Sequence, residues 1–346
     1  MQEFSGAVNS WYERGHRDLP WRRTDDPYRI WVSEIMLQQT RAETVVDYYE
    51  RFLARFPDVQ ALAEAPEQDL LKAWEGLGYY SRARNLQKAA RVIVNEFGGK
   101  LPASVEGLRG LPGIGDYTAG AVASIAFGIP APAVDGNFER VLCRYDGMEE
   151  PVGTPASRKR LQKRGEELVS REDPRTFANA MMELGATVCT PRSPSCDACP
   201  LEGQCGAHRA GNPEHYPVKL PKKAQRTEEK DILLVFDGKT VLAGRRSERL
   251  LGGLYAFPDR TGWGSPQEIC ETLRKDGIEA AYEDCIGEAR HVFTHIIWEM
   301  KIHALVLTAG IPQDSPWQAV DSAGLMELPM PTAIRTARRL AAERIG

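Results

Sequence analysis

The sequence predicts a mostly helical region over residues 1–206, followed by a smaller α+β domain over residues 229–346. Three observations lead there. Apolar residues recur at helical spacing in the first part, at Val45, Val46, Tyr49, Leu53 and Phe56 and again at Leu70, Leu71, Trp74 and Leu77. Residues 207–228 read as a linker in which Pro213, Pro217 and Pro221 alternate with charge, including Lys219, Lys222 and Lys223. Beyond it, Ile232–Phe236 and Val241–Arg246 flank Asp237-Gly238 as a β-hairpin, and Ile296–Leu307 reads as another strand. Within the helical part, turns are expected at Pro57-Asp58, Gly98-Gly99 and Pro130-Ala131-Pro132.

A chain of 346 residues is long enough for two ordinary domains. Its formal net charge of −4 excludes a basic, DNA-coating protein, so any nucleic-acid affinity must come from local patches. Arg158-Lys159-Arg160 with Lys163 and Arg164 is either such a patch or a solvated helix face. No run of 18 apolar residues exists, and the start, Met1-Gln2-Glu3-Phe4-Ser5, lacks the features of a signal peptide. A cytosolic protein is expected, with no membrane contact, and its seven cysteines are then not expected to form disulfides.

The densest signal runs from Leu111 to Asn137. Leu111-Pro112-Gly113-Ile114-Gly115 is a tight turn feeding a helix from Asp116. Gly113 and Gly115 permit positive φ and leave no side chain between backbone and ligand. The free N–H groups of the following helix face whatever lies in front of the turn, which suits a phosphate and reads no base sequence. Asp135 follows one helix later, in Val134-Asp135-Gly136-Asn137.

Four cysteines lie within 17 residues: Cys189, Cys196, Cys199 and Cys205, spaced C-x6-C-x2-C-x5-C. In a reducing compartment this is a metal site, and thiolates suit zinc or an iron–sulfur cluster. Spacing alone leaves both open. Cys143, Cys270 and Cys285 read as ordinary buried cysteines.

The turn, Asp135 and the cysteine loop together resemble the helix-hairpin-helix DNA glycosylases that carry a [4Fe-4S] cluster. Trp31–Thr40 (WVSEIMLQQT) and Trp74–Asn85 (WEGLGYYSRARN) are similar to the adenine DNA glycosylases of the MutY family, and the resemblance spans residues 8–206. It implies two helical subdomains with DNA between them and a [4Fe-4S] cluster on the four cysteines. It also implies a monomer in the bacterial cytoplasm that excises adenine mispaired with 8-oxoguanine or guanine in duplex DNA. The Glu34 segment and the helix after Gly115 should form opposite walls of the cleft.

Breaking an N-glycosidic bond needs a proton donor for the leaving base and a carboxylate for the cationic sugar. Glu34, on an otherwise apolar helix, is the donor candidate, with a raised pKa if buried. Asp135 is the candidate carboxylate, although Asp135-Gly136-Asn137 also fits a helix N-cap, and Asn137 would hold it or the substrate. Where bifunctional relatives carry a nucleophilic lysine this chain has Tyr117, so base removal without efficient strand cleavage is expected. The resemblance gives Arg17, Trp21 and Arg22 an adenine-pocket role. Asn179 stands where relatives carry glutamate or glutamine, which weakens any proton-relay role there. A flipped adenine leaves a gap, and Gln39, Thr40, Leu77 and Tyr79 are the candidates to fill it. The cysteine loop would present Arg192 to a phosphate.

Gly252–Pro258 resembles the start of a Nudix-type fold, but the Arg-Glu…Glu-Glu core of the Nudix box is absent, and Thr272–Gly277 stands in its place. Hydrolysis of pyrophosphates is not expected. The resemblance instead implies a reader of 8-oxoguanine, whose usual Phe-Ser-His loop is Phe293-Thr294-His295 in this chain.

Overall fold

The computed structural model describes residues 2–221, 224–247 and 250–346. It folds as two compact units. One holds the chain up to Ala65 with Ser81–Pro221, and the other holds Pro66–Tyr80 with the chain after Pro221.

The first unit is helical: α1 (Gln2–Arg14), α2 (Pro27–Leu37), α3 (Ala42–Arg55) and α4 (Val59–Glu64) precede the excursion into the second unit, where α5 (Glu67–Ala73) lies. Then follow α6 (Ser81–Phe97), α7 (Val105–Arg109), α8 (Asp116–Phe127), α9 (Gly136–Asp146), α10 (Pro155–Leu168), α11 (Pro174–Thr187) and the short α12 (Gly206–Arg209). Local chemistry sets these starts. Asp26 accepts from Tyr28 N before α2, Asp135 caps α9, Asp173 caps α11, and Thr154 with Ser157 forms a capping box on α10. Proline occupies the first turn of α2, α10 and α11, where its missing N–H costs nothing.

Helix α8 packs against α2 and α11, and α11 packs in turn on α1 and α9. Small residues make this possible: the run TAGAVASI from Thr118 to Ile125 in α8 is wholly buried. A Cβ on Gly120 would stand 2.3 Å from the Pro132 carbonyl oxygen, and one on Gly185 would stand 2.5 Å from Asn137 Cβ.

Helices α7 and α8 form the hairpin around the turn at 110–115, tied by an Arg109–Asp116 ion pair at 2.8 Å. Gly113 has φ +78°, and a Cβ there would also strike Asn85. Gly115 caps α8 in extended backbone at φ −94° and makes no use of the positive φ open to it. Open space around its missing Cβ leaves the α8 N-terminus accessible.

The unit boundaries differ from those read in the sequence. Residues 207–221 belong to the first unit: Val152 N donates to Val218 O at 2.9 Å, and the buried Arg144 guanidinium binds Tyr216 O. The strand β1 (Arg226–Asp237) already begins inside the expected linker. Lys222 and Lys223 lie outside the described residues. Residues 66–80 join the second unit because its charged side chains find partners there. Glu67 pairs with Arg245 at 2.9 Å, and Glu75 accepts from Met330 N and pairs with Arg338.

The second unit is built on a seven-stranded sheet ordered β3-β2-β1-β6-β5, comprising β1, β2 (Thr240–Arg245), β3 (Tyr255–Ala256), β4 (Asp259–Thr261), β5 (Ala280–Val292), β6 (Ile296–Leu307) and β7 (Trp317–Val320). The expected hairpin is present, with Phe236 opposite Val241 across the Asp237-Gly238 turn. Strand β1 pairs parallel to β6, and β5 pairs antiparallel to it. Alternation along β1 feeds two cores. Ile232, Leu234 and Phe236 pack with residues of α15 (Arg335–Ile345), which follows α14 (Ser322–Glu327), while Leu233 and Val235 pack with α13 (Pro266–Lys275). Among the described residues no helix is long and apolar enough to cross a membrane.

Gly120→Ala should destabilise the protein by roughly 1–3 kcal/mol, because a backbone carbonyl cannot yield to the new methyl. Thermal unfolding measures this; an unchanged midpoint would contradict the close α8 packing.

Candidate active site

Glu34 lies on the buried face of α2 and is 2% exposed. The Tyr117 hydroxyl of α8 donates to its Oε2 at 2.5 Å. Burial raises the Glu34 carboxyl, the Tyr117 bond opposes this, the nearby Asp135 charge adds to it and Arg22 opposes it. The outcome is about 7, far above an ordinary glutamate. Tyr117 itself is pushed well above a free phenol, first by burial and then by the Glu34 and Asp135 charges. The tyrosine reaches Glu34 because α2 and α8 are packed against each other.

Asp135 ends the chain segment before α9. Its Oδ1 accepts from Asn137 N at 3.0 Å and Phe138 N at 2.7 Å, and its Oδ2 accepts from Asn137 Nδ2 at 3.0 Å. Burial raises this carboxyl, while those three N–H groups and the Arg140 charge oppose the rise. Asp135 is thus an N-cap and also a half-buried carboxylate whose charge is felt by Glu34. Asn137 is held in turn: Arg140 Nη2 donates to its Oδ1 at 2.8 Å and to Gly185 O at 2.6 Å.

Arg17 and Arg22 converge on one residue that the sequence reading did not single out. Glu183 of α11, 2% exposed, accepts from Arg17 N, Nε and Nη2 and from Arg22 Nη2 at 2.7 Å. Burial pushes its carboxyl up, but the Arg17 and then the Arg22 bonds outweigh this and hold it down at about 2. Trp21 is buried edge-on against Tyr49. Asn179, one turn before Glu183, bonds back to Arg175 O at 3.1 Å as a structural helix asparagine.

After α2 the chain turns sharply, with Gln39 at φ +58°. Arg82, a second residue not anticipated, makes this turn: its Nη1 donates to the carbonyls of Ile35, Met36 and Gln38 at 2.6–2.9 Å, and its Nη2 reaches Thr40 Oγ1. It lies within the WEGLGYYSRARN segment, which was the available signal. On α10, Arg160 pairs with Glu150 and Arg164 with Asp146, so these two basic residues belong to a solvated helix face.

Cys189, Cys196, Cys199 and Cys205 line one small cavity with Val188, Pro194 and Arg144. All four are free thiols, and among the described residues no three metal-binding side chains converge on a single point. Thiols spread round a shared cavity fit a four-iron cluster, in which each iron takes one thiolate, better than a lone tetrahedral ion. Arg144, 2% exposed, ties the loop down: its Nη1 reaches Cys189 Sγ at 3.3 Å and Thr190 O at 2.7 Å. Arg140 Nε binds Cys189 O at 2.7 Å, so one guanidinium spans Asn137 and the loop. Arg192 is exposed on it.

Phe293-Thr294-His295 joins β5 to β6 as a hairpin end, closed by Phe293 N to Ile296 O at 2.8 Å. The Phe293 ring packs on Trp298 at 4.9 Å, while Thr294 and His295 are exposed. Gln225 Nε2 binds Phe293 O at 2.7 Å. In the same unit Leu77 is buried and Tyr79 is exposed at φ +47°, with its hydroxyl 2.6 Å from Thr294 Oγ1.

This hairpin of helices, with its paired acids and thiol loop, defines a class: residues 32–170 match the HhH-GPD superfamily of base excision DNA repair proteins, and residues 189–205 match the iron-sulfur binding domain of endonuclease III. Residues 232–339 match the NUDIX domain. The adenine DNA glycosylase of Homo sapiens is 36% identical, with 89% of this chain and 68% of that protein covered. The one of Buchnera aphidicola from Acyrthosiphon pisum is 37% identical over 85% of this chain and 84% of its own length. A thermostable thymine-DNA glycosylase structure shares 32% identity and superposes with a TM-score of 0.54, covering 60% of this chain and 95% of that one. The chain belongs to the adenine DNA glycosylases. It is a DNA glycosylase of base excision repair with a [4Fe-4S] cluster, which decides between the two metals the spacing had left open.

Cys199→Ser should lower iron content and bleach the cluster's visible absorption, while the β-sheet signal of the second unit persists in circular dichroism. Full iron occupancy in that variant would show that Cys199 is not a ligand.

Proposed function

We propose that this chain hydrolyses the N-glycosidic bond of adenine paired with 8-oxoguanine or guanine in duplex DNA, and leaves the strand uncut. The observation that carries the reading is a buried Glu34 that feels the charge of a half-buried Asp135, with a tyrosine hydroxyl rather than an amine against Glu34.

Glu34, holding a proton near neutrality, donates it to N7 of the flipped adenine and makes the base a better leaving group. Tyr117 fixes the Glu34 carboxyl by binding Oε2. The C1′–N9 bond breaks, its electron pair leaves with the base, and positive charge appears on the sugar. Asp135 stabilises that charge as a carboxylate, with Oδ1 occupied by two backbone N–H groups and Oδ2 steered by Asn137. Water then supplies hydroxide to C1′ and the released proton restores the acid. Tyrosine cannot form the imine that strand cleavage by a lysine nucleophile requires.

Arg17, Trp21 and Arg22 form the wall of the adenine pocket. Extrusion of the base costs a few kcal/mol. Gln39 in the first unit and Tyr79 in the second are non-glycine residues held at positive φ, a strain that suits insertion into the stack, and Thr40 and Leu77 are their sequence neighbours in the same roles. The α7–α8 hairpin, with Gly113 and Gly115, takes a phosphate at the α8 N-terminus. Phe293, Thr294 and His295 read the partner base, and the Thr294 hydroxyl takes the place of serine. The cysteine loop, on its cluster, fixes Arg192 for a backbone contact. The protein acts as a monomer on DNA in the cytoplasm.

Single-turnover release of adenine from an A:8-oxoguanine duplex, with A:T as control, tests the reading; tight binding without release would leave a damage-binding module, and good borohydride trapping a lyase. Glu34→Gln should slow release by about 10²–10⁴-fold. Asp135→Asn should bind DNA yet lose most turnover. In the wild type the rate should fall as pH rises through about 7, where Glu34 loses its proton. It should also fall on the acid side as Asp135 takes one up, above the usual aspartate range. A flat profile between those limbs and beyond them would contradict the assignment.

Replacing Phe293, Thr294 and His295 together should erode the preference for 8-oxoguanine over guanine while A:G excision continues. An unchanged preference would mean the loop does not read the lesion.

A further inference from the structure

Glu183 contacts neither Glu34 nor Asp135 by any hydrogen bond described above, yet it receives four of the polar hydrogens of Arg17 and Arg22 across more than a hundred residues of sequence. The Arg22 guanidinium is immobilised on three sides. Nη2 binds Glu183, Nη1 binds Arg17 O at 2.9 Å, and the plane lies over the Tyr12 ring at 5.5 Å. Its third nitrogen, Nε, is buried with no hydrogen-bond partner among the described residues. A buried donor left open is costly unless a ligand satisfies it.

The charge count around this group is balanced. Arg17 and Arg22 are cationic, and Glu183 and Glu43 are anionic, with Arg17 Nη1 reaching Glu43 at 3.1 Å. A bare arginine beside a general acid would draw off the proton that the acid must deliver. The groups that act on Glu34 are Tyr117 from α8, Asp135 from the start of α9 and Arg22 from the short 3-10 turn at Pro20–Arg22. Of these, Arg22 alone is cationic.

We propose that Glu183 is a positioning residue for the base-releasing step: it holds Arg22 with one buried N–H open for the substrate and cancels enough of the Arg22 charge for Glu34 to keep its proton. This rests on the reading of Glu34 as the acid.

The test measures single-turnover adenine release against pH for the wild type, Glu183→Gln and Arg22→Met. Glutamine keeps the shape and an acceptor but removes the charge. Its alkaline limb should move to lower pH by about half a unit or more, cutting the rate at alkaline pH several-fold. Arg22→Met should move the limb the other way. Infrared titration of the Glu34 carboxyl band, assigned by its loss in Glu34→Gln, should follow the same two shifts without any substrate. The infrared arm separates the two ideas: if the wild type releases no adenine, the functional reading fails while the field of Arg22 on Glu34 is still measured. A limb and a carboxyl band that stay put in Glu183→Gln while the rate drops equally at every pH would overturn the proposal. Should Glu183→Gln not fold, Arg22→Met decides, and an unmoved limb there overturns it equally.

Discussion

Two carboxyl groups, one buried and one half-buried, are partly stripped of water within one helical unit, and most of the surrounding structure answers to that constraint. Desolvation alone would protonate both and leave neither fit for a distinct role. The unit separates them by what each receives. Glu34 is given one hydroxyl bond and otherwise apolar surroundings on α2, so it stays near neutrality in its titration. Asp135 is given three N–H donors, two of them from the free N-terminus of α9, so its charge is supported where it forms. Environment, more than residue type, divides acid from carboxylate.

Buried arginines carry much of the load of keeping these groups in place. Arg140 bonds Asn137, Gly185 and Cys189 with one guanidinium, and Arg144 bonds the Cys189 sulfur, Thr190, Pro191 and Tyr216. Each fork satisfies several backbone carbonyls that the irregular cysteine loop cannot pair internally. The loop therefore shares a rigid frame with the site, although its thiols stand apart from the two acids in the hydrogen-bond network. Close backbone approach at Gly120 and Gly185 completes that frame.

What was legible in the sequence follows from how local each signal is. Strand β6 runs from Ile296 to Leu307 as read, and the Asp237-Gly238 hairpin and the turns at Gly98-Gly99 and Pro57-Asp58 stand where propensity puts them. The acids and the cysteine loop were visible because each sits in a dense run of unusual residues. Glu183, Arg82 and Arg140 were not, since a glutamate in a helix means nothing until two arginines some 160 positions earlier fold onto it. Of the two turn glycines the sequence offered, only Gly113 takes up the left-handed conformation, since the turn needs one such residue. The partition of residues 66–80 lay beyond local pattern as well, because Glu67 and Glu75 look like ordinary surface charges until Arg245 and Arg338 are folded.

That partition bears on how the molecule comes together. The chain leaves its first unit after Ala65, contributes fifteen residues to the other and returns at Ser81, long before the rest of that second unit has been synthesised. During translation the early segment must wait, unmatched, for partners near the C-terminus. Severing the backbone near residue 222 would consequently not release two self-sufficient modules, since the shorter piece would lack residues 66–80, whose Glu67 and Glu75 its own Arg245 and Arg338 are built to receive.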